Sequence, residues 1–270
     1  MLKIIVPIKQ VVDVSQIKFD ENGVGTIESS IGGEINPFDL NALEVAVQIK
    51  DKLDATVSVL SMGEPGTDSI LKDAIARGAT DAFLLEDAAF KDSDTLATSY
   101  TLASAIKKMG EYDLIVCGEK SVDGDTGQVG PEIAEHLGIP HVAYVANIEE
   151  MGEKLVLVSD MDGEQHVIEC SLPVLITVTK NINTPRLPSL RDKLNSRKAK
   201  VEIWHADDLT PDADKSKFGN AGSPTFVDKI TLPSEGGRKG KIFKGSTEEI
   251  VKELAGELEK DGVLKGLGAK

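Results

Sequence analysis

A stretch that begins at Asp113 combines the residue types that bind phosphate groups. An apolar run, 113–117, leads into a loop rich in Gly, Asp and Thr, and a helical pattern starts near Pro131. This strand–loop–helix order offers backbone N–H groups and the positive end of a helix to an anion. Gly124, Gly127 and Gly130 let the backbone approach a ligand closely, and Thr126 and Gln128 add side-chain hydrogen-bond donors. An ordinary turn with helix-capping residues has the same composition, so the loop alone leaves both interpretations open.

Other chemistries find less support in the sequence. No G-x-G-x-x-G motif follows the first apolar run, which disfavours a dehydrogenase-type dinucleotide site. The histidines show no metal-ligand spacing, and no nucleophile stands beside a base. Asp123 and Asp125 are better suited to capping turns or holding ribose hydroxyls than to acid–base catalysis. We therefore expect a binder of a nucleotide-like cofactor, with no catalytic residue and no metal of its own.

The elements that would position these residues alternate between strand and helix. The pattern predicts strands at 2–8, 56–63, 79–86 and 113–117, with helices at 37–49, 67–77, 93–108 and 131–137. Asn36 is a plausible N-cap of the first helix, and Pro37 suits its first position. Asn22-Gly23 is a hairpin signal inside 17–28. The alternation predicts an α/β fold with a mostly parallel sheet and crossover helices.

The predicted pattern of secondary structure changes after Pro140, from alternating strands and helices to short strands. Short strands are predicted at 142–146, 155–159 and 166–170, the last two joined as a hairpin through Asp162-Gly163, and 174–178 returns to the sheet. A projecting loop and a basic segment fill 183–200, and 201–204 resembles a strand. We predict an α/β nucleotide-binding domain over 1–204, and an extended arm plus an amphipathic helix, 247–260, over 205–270. That helix either docks on another chain or folds back on its own domain.

The composition indicates which partners and which cell compartment to expect. The chain has 45 acidic and 30 basic residues and a net charge of −15, which disfavours nucleic acid as a partner. No apolar run approaches the roughly 20 residues of a membrane span, so membrane insertion is not expected. Cys117 and Cys170 are predicted to be buried free thiols. With no signal-peptide core at the N-terminus, we expect a cytoplasmic protein.

Six short motifs, in order along the chain, resemble the beta (small) subunit of electron-transfer flavoproteins. They are Lys9-Gln10-Val11-x-Asp13, Asn36-Pro37-Phe38-Asp39 with Ala42-Leu43-Glu44, Ser61-Met62-Gly63, Ala76-Arg77-Gly78-Ala79, the loop around Asp123–Gly130, and Asn183-x-Pro185-Arg186-x-Pro188-Ser189-Leu190. No single motif is diagnostic, but six in order are very specific. The resemblance implies a three-layer α/β fold of the adenine-nucleotide alpha-hydrolase-like type and a heterodimer with an alpha subunit that carries its own FAD.

The resemblance also bears on the cofactor of this chain. The loop 123–131 and the segment Ser93-Asp94-Thr95-Leu96-Ala97-Thr98 are similar to the branch whose beta subunit holds a whole FAD and bifurcates electrons. This implies that NADH reduces the FAD, that one electron passes to ferredoxin, and that the other passes through the alpha-subunit FAD to an acyl-CoA or hydroxyacid dehydrogenase. The alternative is a non-bifurcating shuttle with AMP in the same site. A stand-alone nucleotide-binding stress-type protein is a third hypothesis, disfavoured by the long C-terminal arm.

The resemblance further assigns positions to the cofactor. Pro7, Ile8, Asn36, Ser61 and Met62 would surround the adenosine, 123–130 the pyrophosphate, and Asp94, Thr95 and Thr98 the flavin end. The complete set of expected cofactor-binding residues is Pro7, Ile8, Lys9, Asn36, Asp39, Ser61, Met62, Gly63, Asp94, Thr95, Thr98, Cys117, Gly118, Asp123, Gly124, Asp125, Thr126, Gly127, Gln128, Val129 and Gly130. Strand-end packing of Met62, simple capping by Asn36 and a solvated Lys9 are the structural alternatives.

The proline-rich loop resembles the segment with which this family engages its dehydrogenase. The implied docking residues are Pro185, Arg186, Pro188 and Leu190, with Leu190 as the apolar anchor. An exposed leucine on a loop stiffened by proline loses little conformational entropy when it docks. The alternative is a leucine packed against its own domain.

Overall fold

The structure is a computed structural model that describes residues 1–11, 18–19, 25–26, 33–152, 154–209, 213–228 and 240–263. The strands are β1 (Leu2–Pro7), β2 (Gln10–Val11), β3 (Lys18–Phe19), β4 (Gly25–Thr26), β5 (Glu34–Ile35), β6 (Ala55–Met62), β7 (Asp81–Leu85), β8 (Leu114–Gly118), β9 (His141–Met151), β10 (Leu155–Met161), β11 (Glu164–Cys170), β12 (Val174–Val178) and β13 (Glu202–Trp204).

The helices are α1 (Pro37–Lys52), α2 (Asp68–Ala76), α3 (Thr95–Met109), α4 (Val129–Leu137), α5 (Leu190–Ser196), α6 (Gly219–Gly222) and α7 (Thr247–Lys260), with short 3-10 turns at Ala88–Phe90, Ala206–Asp208 and Lys215–Lys217. Helices α1 to α5 lie between strands, as the alternating pattern predicts, and α6 and α7 follow β13. Within the described ranges, no helix has the length and apolar character needed to cross a membrane.

One large sheet runs through the molecule in the order β11-β10-β9-β12-β8-β1-β6-β7-β13. The strands from β9 to β13 in this order are parallel, and β10 and β11 extend the sheet antiparallel. The β10–β11 turn has positive φ at Asp162 (54°) and Gly163 (80°), the conformation that a two-residue hairpin requires. The predicted mostly parallel α/β fold and this hairpin are confirmed.

Alternating side chains of the strands build two cores, one on each face of the sheet. Ile4 and Val6 pack with α1 and α2, whereas Ile5 packs with α3 and α4. The sheet is therefore the middle of three layers, because each strand turns successive residues to opposite faces.

The strand order reverses between β1 and β8. From β1 the chain crosses through α1 to β6 on one side, whereas β8 lies on the other side of β1. At such a switch point the loops after the two strands diverge and leave a crevice at the carboxyl edge, where open α/β sheets bind ligands. We call the space beyond the ends of β1 and β8 the switch-point crevice.

The first compact unit extends beyond the predicted domain boundary at residue 204. It runs from Met1 to Ile230, and a second unit covers Thr231–Lys270. Leu209 and Phe218 are 4% and 1% exposed, and the Phe218 ring lies edge-on to Phe90 with centroids 5.3 Å apart. The chain around Phe218 therefore packs against α3 and its neighbours, whereas Phe226 and Val227 are 79% and 77% exposed.

The hairpin predicted for 17–28 is partly described. Lys18 pairs with Thr26 and Phe19 with Gly25 in antiparallel register. The Asn22-Gly23 turn and Asp13 lie outside the described residues.

In the second unit, α7 begins where predicted, with Ser246 and Glu249 forming a reciprocal capping box. Val251 and Leu254 on α7 are 59% and 43% exposed.

Candidate functional site

Buried polar atoms without partners mark the carboxyl edge of the sheet. In the described ranges, the buried side-chain atoms that lack a hydrogen-bond partner are Ser61 Oγ, Glu132 Oε2 and Thr179 Oγ1. Ser61 lies near the end of β6, Thr179 directly follows β12, and Glu132 lies in the first turn of the helix after β8. Because native proteins pair almost all buried polar groups, orphan atoms grouped at one edge fit a site that a polar ligand completes.

Asn36 connects the two sides of the switch-point crevice. Its side-chain Nδ2 donates to the carbonyl of Lys120 at 2.9 Å, and its Oδ1 accepts from the backbone N–H of Val122 at 3.2 Å. Asn36 is the N-cap residue of α1, as predicted, but its side chain makes no capping bond to the helix. The residue is 1% exposed, and both partners belong to the loop after β8. Asn36 therefore positions the glycine loop, which we define as residues 118–130.

Asp39 lies beneath the same junction. Its carboxylate accepts from the backbone N–H of Lys9 at 2.8 Å and from the backbone N–H of Gly118, and it is 7% exposed. Burial raises the pKa of Asp39 to about 7, and the hydrogen bonds from Lys9, Asn36 and Gly118 only partly offset this effect. A Cβ at Gly118 would lie 2.5 Å from Asp39 Oδ1, so only glycine permits this close approach of β8 to α1.

The glycine loop turns sharply above this junction. Asp125 and Gly127 have φ of 52° and 65°, and the N–H of Asp125 closes a turn onto the carbonyl of Ser121 at 2.9 Å. Two ion pairs flank the turn, Lys9 Nζ–Asp123 Oδ2 and Lys120 Nζ–Asp125 Oδ1, each at 2.7 Å. The two lysines place positive charge at this turn, which favours the approach of an anion.

The starts of α3 and α4 meet at this loop. Thr95 Oγ1 lies 3.3 Å from Gln128 Oε1 and 3.3 Å from Glu132 Oε1. A Cβ at Gly130 would lie 2.7 Å from Thr177 Cγ2, so glycine lets α4 begin directly against β12. Two helix N-termini thus lie side by side at the carboxyl edge, and each brings the positive end of its dipole there.

Asp94 precedes α3, but its carboxylate already has protein partners. Oδ1 accepts from the N–H of Ala97 at 3.0 Å, and Oδ2 accepts from Thr225 N and Oγ1 at 3.0 and 2.9 Å. These bonds outweigh desolvation and lower the pKa of Asp94. Ser223 Oγ also accepts from the Asp94 N–H at 2.8 Å. Asp94 thus joins the start of α3 to the segment 223–225, while Thr95 and the half-buried Thr98 line the edge itself.

Pro7 and Ile8, two of the expected adenosine residues, lie at the end of β1 and give the floor of the crevice an apolar surface. Pro7 and Ile8 are buried, and the N–H of Ile8 donates to Leu60 O at 2.8 Å. Met62 is half-buried and, with Gly63, also borders a cleft of about 680 Å³ towards β7, together with Glu86 and Lys91. The structure thus brings the β1 and β6 ends together with the glycine loop, and Met62 lies on the outer side of this set.

Cys117 lies inside the sheet and not on the crevice surface. It is 6% exposed, and burial raises the pKa of its thiol, so the sulfur stays protonated. Cys117 is buried and Cys170 half-buried, and both are free. In the described part of the chain, no group of three or more His, Cys, Asp or Glu side chains has a metal-binding arrangement.

The proline-rich loop lies at α1 and α2, apart from the glycine loop. Pro185 and Pro188 are half-buried, and Arg186 pairs with Glu44 of α1. Leu190 is 76% exposed, which rules out the alternative that it packs on its own unit. Leu187, which sequence reasoning did not select, is 86% exposed.

Sequence reasoning also missed polar residues at the site. Thr179 and Lys120 each follow the end of a parallel strand, and this position was a usable signal because the carboxyl ends of such strands meet at one edge. Tyr144 has a positive φ of 52°, and its Oη lies 3.9 Å from the position of a Cβ on Gly127. No sequence pattern pointed to Tyr144, because only the bend in β9 brings it to the glycine loop.

Comparisons with known proteins agree with this geometry. A model of the electron transfer flavoprotein domain matches residues 24–209. The chain is 41% identical over 264 residues to the electron transfer flavoprotein subunit beta of Thermoanaerobacterium thermosaccharolyticum, covering 97% of this chain and 100% of that protein. It is 39% identical over 261 residues to the caffeyl-CoA reductase-Etf complex subunit CarD of Acetobacterium woodii (95% and 96% covered) and 37% identical over 266 residues to Protein FixA of Azorhizobium caulinodans (96% and 94%).

Proposed function

Because the chain belongs to the electron transfer flavoprotein family as a beta subunit, we propose that it binds a whole FAD in the switch-point crevice. Beta subunits of this family pair with an alpha subunit, and the functional unit is that heterodimer. The proposal extends the family assignment in two steps, from a nucleotide to a dinucleotide and from electron transfer to electron bifurcation.

The observation that carries the first step is the meeting of two helix N-termini. One phosphate needs one such terminus, and α4 with the glycine loop provides it. The start of α3 lies beside it, with Thr95 Oγ1 3.3 Å from Gln128 Oε1. The positive dipole end of this second helix supports a ligand that continues past the first phosphate, as a pyrophosphate with a flavin does.

The residues that would hold the group follow from their places in the crevice. The floor formed by Pro7 and Ile8 suits an adenosine, and the backbone N–H groups of 124–130 suit the pyrophosphate. Thr95 and Thr98 lie on the side where the flavin would extend. When bound, FAD supplies the redox chemistry, since it accepts a hydride and can release electrons singly. The protein binds the group, orients it and sets the charge around it.

For the second step we propose NADH as the electron donor, ferredoxin as a low-potential acceptor, and an acyl-CoA or hydroxyacid dehydrogenase as the other acceptor. The printed name of the Acetobacterium woodii relative places that protein in a complex with a CoA-ester reductase, which supports an acceptor of this class. The loop 185–190 is the proposed docking element, with the exposed Leu190 as its anchor.

The nucleotide content of the purified heterodimer tests the cofactor proposal. Acid extraction followed by chromatography is expected to give two FAD per heterodimer. A Thr95→Val variant, which lacks the hydroxyl facing Gln128, should lose FAD from the beta site before the alpha-subunit FAD. One FAD together with one AMP would instead identify a non-bifurcating shuttle.

Bifurcation has a separate test. In the presence of NADH and the heterodimer, reduction of ferredoxin should require a simultaneous acceptor, such as an acyl-CoA dehydrogenase with an unsaturated CoA ester. Two FAD without this coupled reduction would leave the FAD proposal standing and would contradict bifurcation.

A further inference from the structure

Arg186 is bound to the first helix through a nearly buried carboxylate. Its Nε and Nη2 donate to Glu44 Oε2 and Oε1 at 2.8 and 3.1 Å, and its backbone N–H donates to Glu44 Oε2 at 3.1 Å. The Glu44 side chain is 7% exposed. Nη2 also reaches the exposed Asp51 at 2.9 Å. A planar fork on a carboxylate fixes both the position and the orientation of the guanidinium.

Two more contacts hold the same segment. Arg77 of α2 donates through Nη1 to the carbonyl of Arg186 at 2.8 Å. Asn41 and Asn183 exchange hydrogen bonds at 3.0 Å, each amide donating to the other's backbone carbonyl. The segment 183–186 is thus held by side chains of both helices on this face of the sheet.

The residues that follow are apolar and exposed. Leu187, Leu190 and Leu194 are 86%, 76% and 49% exposed. Leu190 and Leu194 are one helical turn apart on α5, whose start is capped by Ser189 through the N–H of Asp192. These three leucines, which we call the leucine edge, continue directly from the point where Arg186 is fixed.

Stability alone is a weak reason for the Glu44–Arg186 pair. Burying the Glu44 charge costs free energy, and apolar residues of similar size often serve a fold equally well. An apolar pair would not fix the direction in which the chain leaves residue 186. The fork gives this direction, because it has one geometry that satisfies all three bonds.

We infer that Glu44 is a positioning residue for partner docking: it holds Arg186, and through it the leucine edge, in one orientation before the partner arrives. The inference rests on the docking role proposed above for the loop 185–190. The edge is flanked by the exposed side chains of Arg191, Lys193 and Arg197, on a chain of net charge −15. The partner that fits is an electron-accepting enzyme with an apolar pocket inside an acidic rim.

The first experiment measures the order of the loop itself. In the intact heterodimer, Glu44→Gln should raise amide exchange over 184–194 at least tenfold and speed tryptic cleavage after Arg186 and Arg191. The matched control is Asp51→Asn, the same chemical change at the exposed partner of the same guanidinium, which should leave both unchanged. Equal exchange in Glu44→Gln and wild type would overturn the inference.

The second experiment connects this order to docking, with an acyl-CoA dehydrogenase as the electron acceptor. Glu44→Gln should raise the KM for this enzyme about tenfold with kcat at saturation unchanged, since about 1.4 kcal/mol of docking free energy is lost. Leu190→Ala should also raise KM, and Glu44→Gln should add little to it. A loosened loop with an unchanged KM refutes the positioning role. An unchanged KM in Leu190→Ala refutes the docking role itself.

Discussion

The side-chain amide of Asn36 donates a hydrogen bond to the carbonyl of Lys120 across 2.9 Å and so joins the start of α1 to the glycine loop. Its Oδ1 also accepts from Val122 N–H, and the residue is 1% exposed. The residue thus bridges positions far apart in sequence. Together with Asp39, which accepts from the backbone N–H groups of Lys9 and Gly118, this side chain holds the two walls of the switch-point crevice together.

Replacing Asn36 by alanine should loosen the glycine loop and weaken nucleotide binding. The change leaves a partly buried carbonyl and a partly buried N–H without their protein partner, at a cost of about 1 kcal/mol. Asn41→Ala is the matched control, because Asn41 is buried on the same helix but bonds the loop at 183. Calorimetric titration of nucleotide into the apo-heterodimer should show weaker binding only for Asn36→Ala. Equal nucleotide affinities of Asn36→Ala and the wild type would show that Asn36 does not support the nucleotide site.

Asp123→Asn should tighten nucleotide binding. In the structure the Asp123 carboxylate holds Lys9 Nζ at 2.7 Å, so an incoming phosphate competes with it for this cation. The pair is half-exposed and contributes at most about 1 kcal/mol, which corresponds to an affinity gain of about two- to fivefold at low salt. Asp160→Asn, the same charge change at an exposed site on β10, is the control. Weaker binding by Asp123→Asn would instead show that Asp123 contacts the nucleotide.

Asp39 should make the free energy of unfolding depend on pH. Its pKa is about 7 in the fold and 3.8 as the ordinary value, so between these pH values the folded protein holds a proton that the unfolded chain has released. Stability should therefore fall as pH rises from about 4 to about 7 and level off above. Asp39→Asn should remove up to about 1.4 kcal/mol per pH unit of this slope in urea titrations. Parallel curves for both proteins would contradict the assignment.

Asp94 should act on the cofactor indirectly, through the segment 223–225. Asp94→Ser keeps a cap on α3 but cannot accept both bonds from Thr225, whereas Asp94→Ala loses the cap as well, at about 1 kcal/mol. Amide exchange should rise at 223–226 in both variants and at the first turn of α3 only in Asp94→Ala. Thr225→Val should reproduce part of the first effect. Loss of FAD from Asp94→Ser with normal protection at 223–226 would indicate direct contact.

Gly118→Ala should destabilise the protein far more than Gly124→Ala. A Cβ at 118 would lie 2.5 Å from Asp39 Oδ1 and 2.7 Å from the carbonyl carbon of Phe38, a clash that costs about 1–3 kcal/mol. At Gly124 the nearest atom is Ser121 Oγ at 3.3 Å, the end of a short side chain, so the change should stay within about 0.5 kcal/mol. Thermal unfolding of the two heterodimers gives the comparison, and similar losses would argue against the close approach of β8 to α1.

Local patterns were sufficient for most elements of the fold. The cap at Asp94 and the apolar spacing predicted a helix over 93–108, and α3 runs from Thr95 to Met109. The hairpin through Asp162-Gly163 and the return of 174–178 to the sheet were equally local signals. Local patterns did not predict the burial of Leu209 and Phe218. These two residues stand alone in a polar stretch, and their burial depends on a surface that α3 provides.

At the candidate site, the sequence was sufficient to identify the glycine loop and the ends of β1 and β6, because strand ends and glycines can be recognised from neighbouring residues. It identified Asn36 as the N-cap of α1 but did not show that the side chain bonds to Lys120 and Val122, because these partners are distant in the chain. It assigned Arg186 to partner docking, which stays a prediction, but it did not show that Arg186 pairs with Glu44, 142 positions away.

The sequence by itself determined the alternation of strands and helices, the positions of the glycines and the family of the chain, because these depend on periodicity and on motifs of neighbouring residues. Only the tertiary structure decided that two helix N-termini meet at Thr95 and Gln128, that Asp39 lies buried between Lys9 and Gly118, and that Glu44 fixes the leucine edge. These relationships join residues distant in the chain, and it is the order of the strands in the sheet that brings them together.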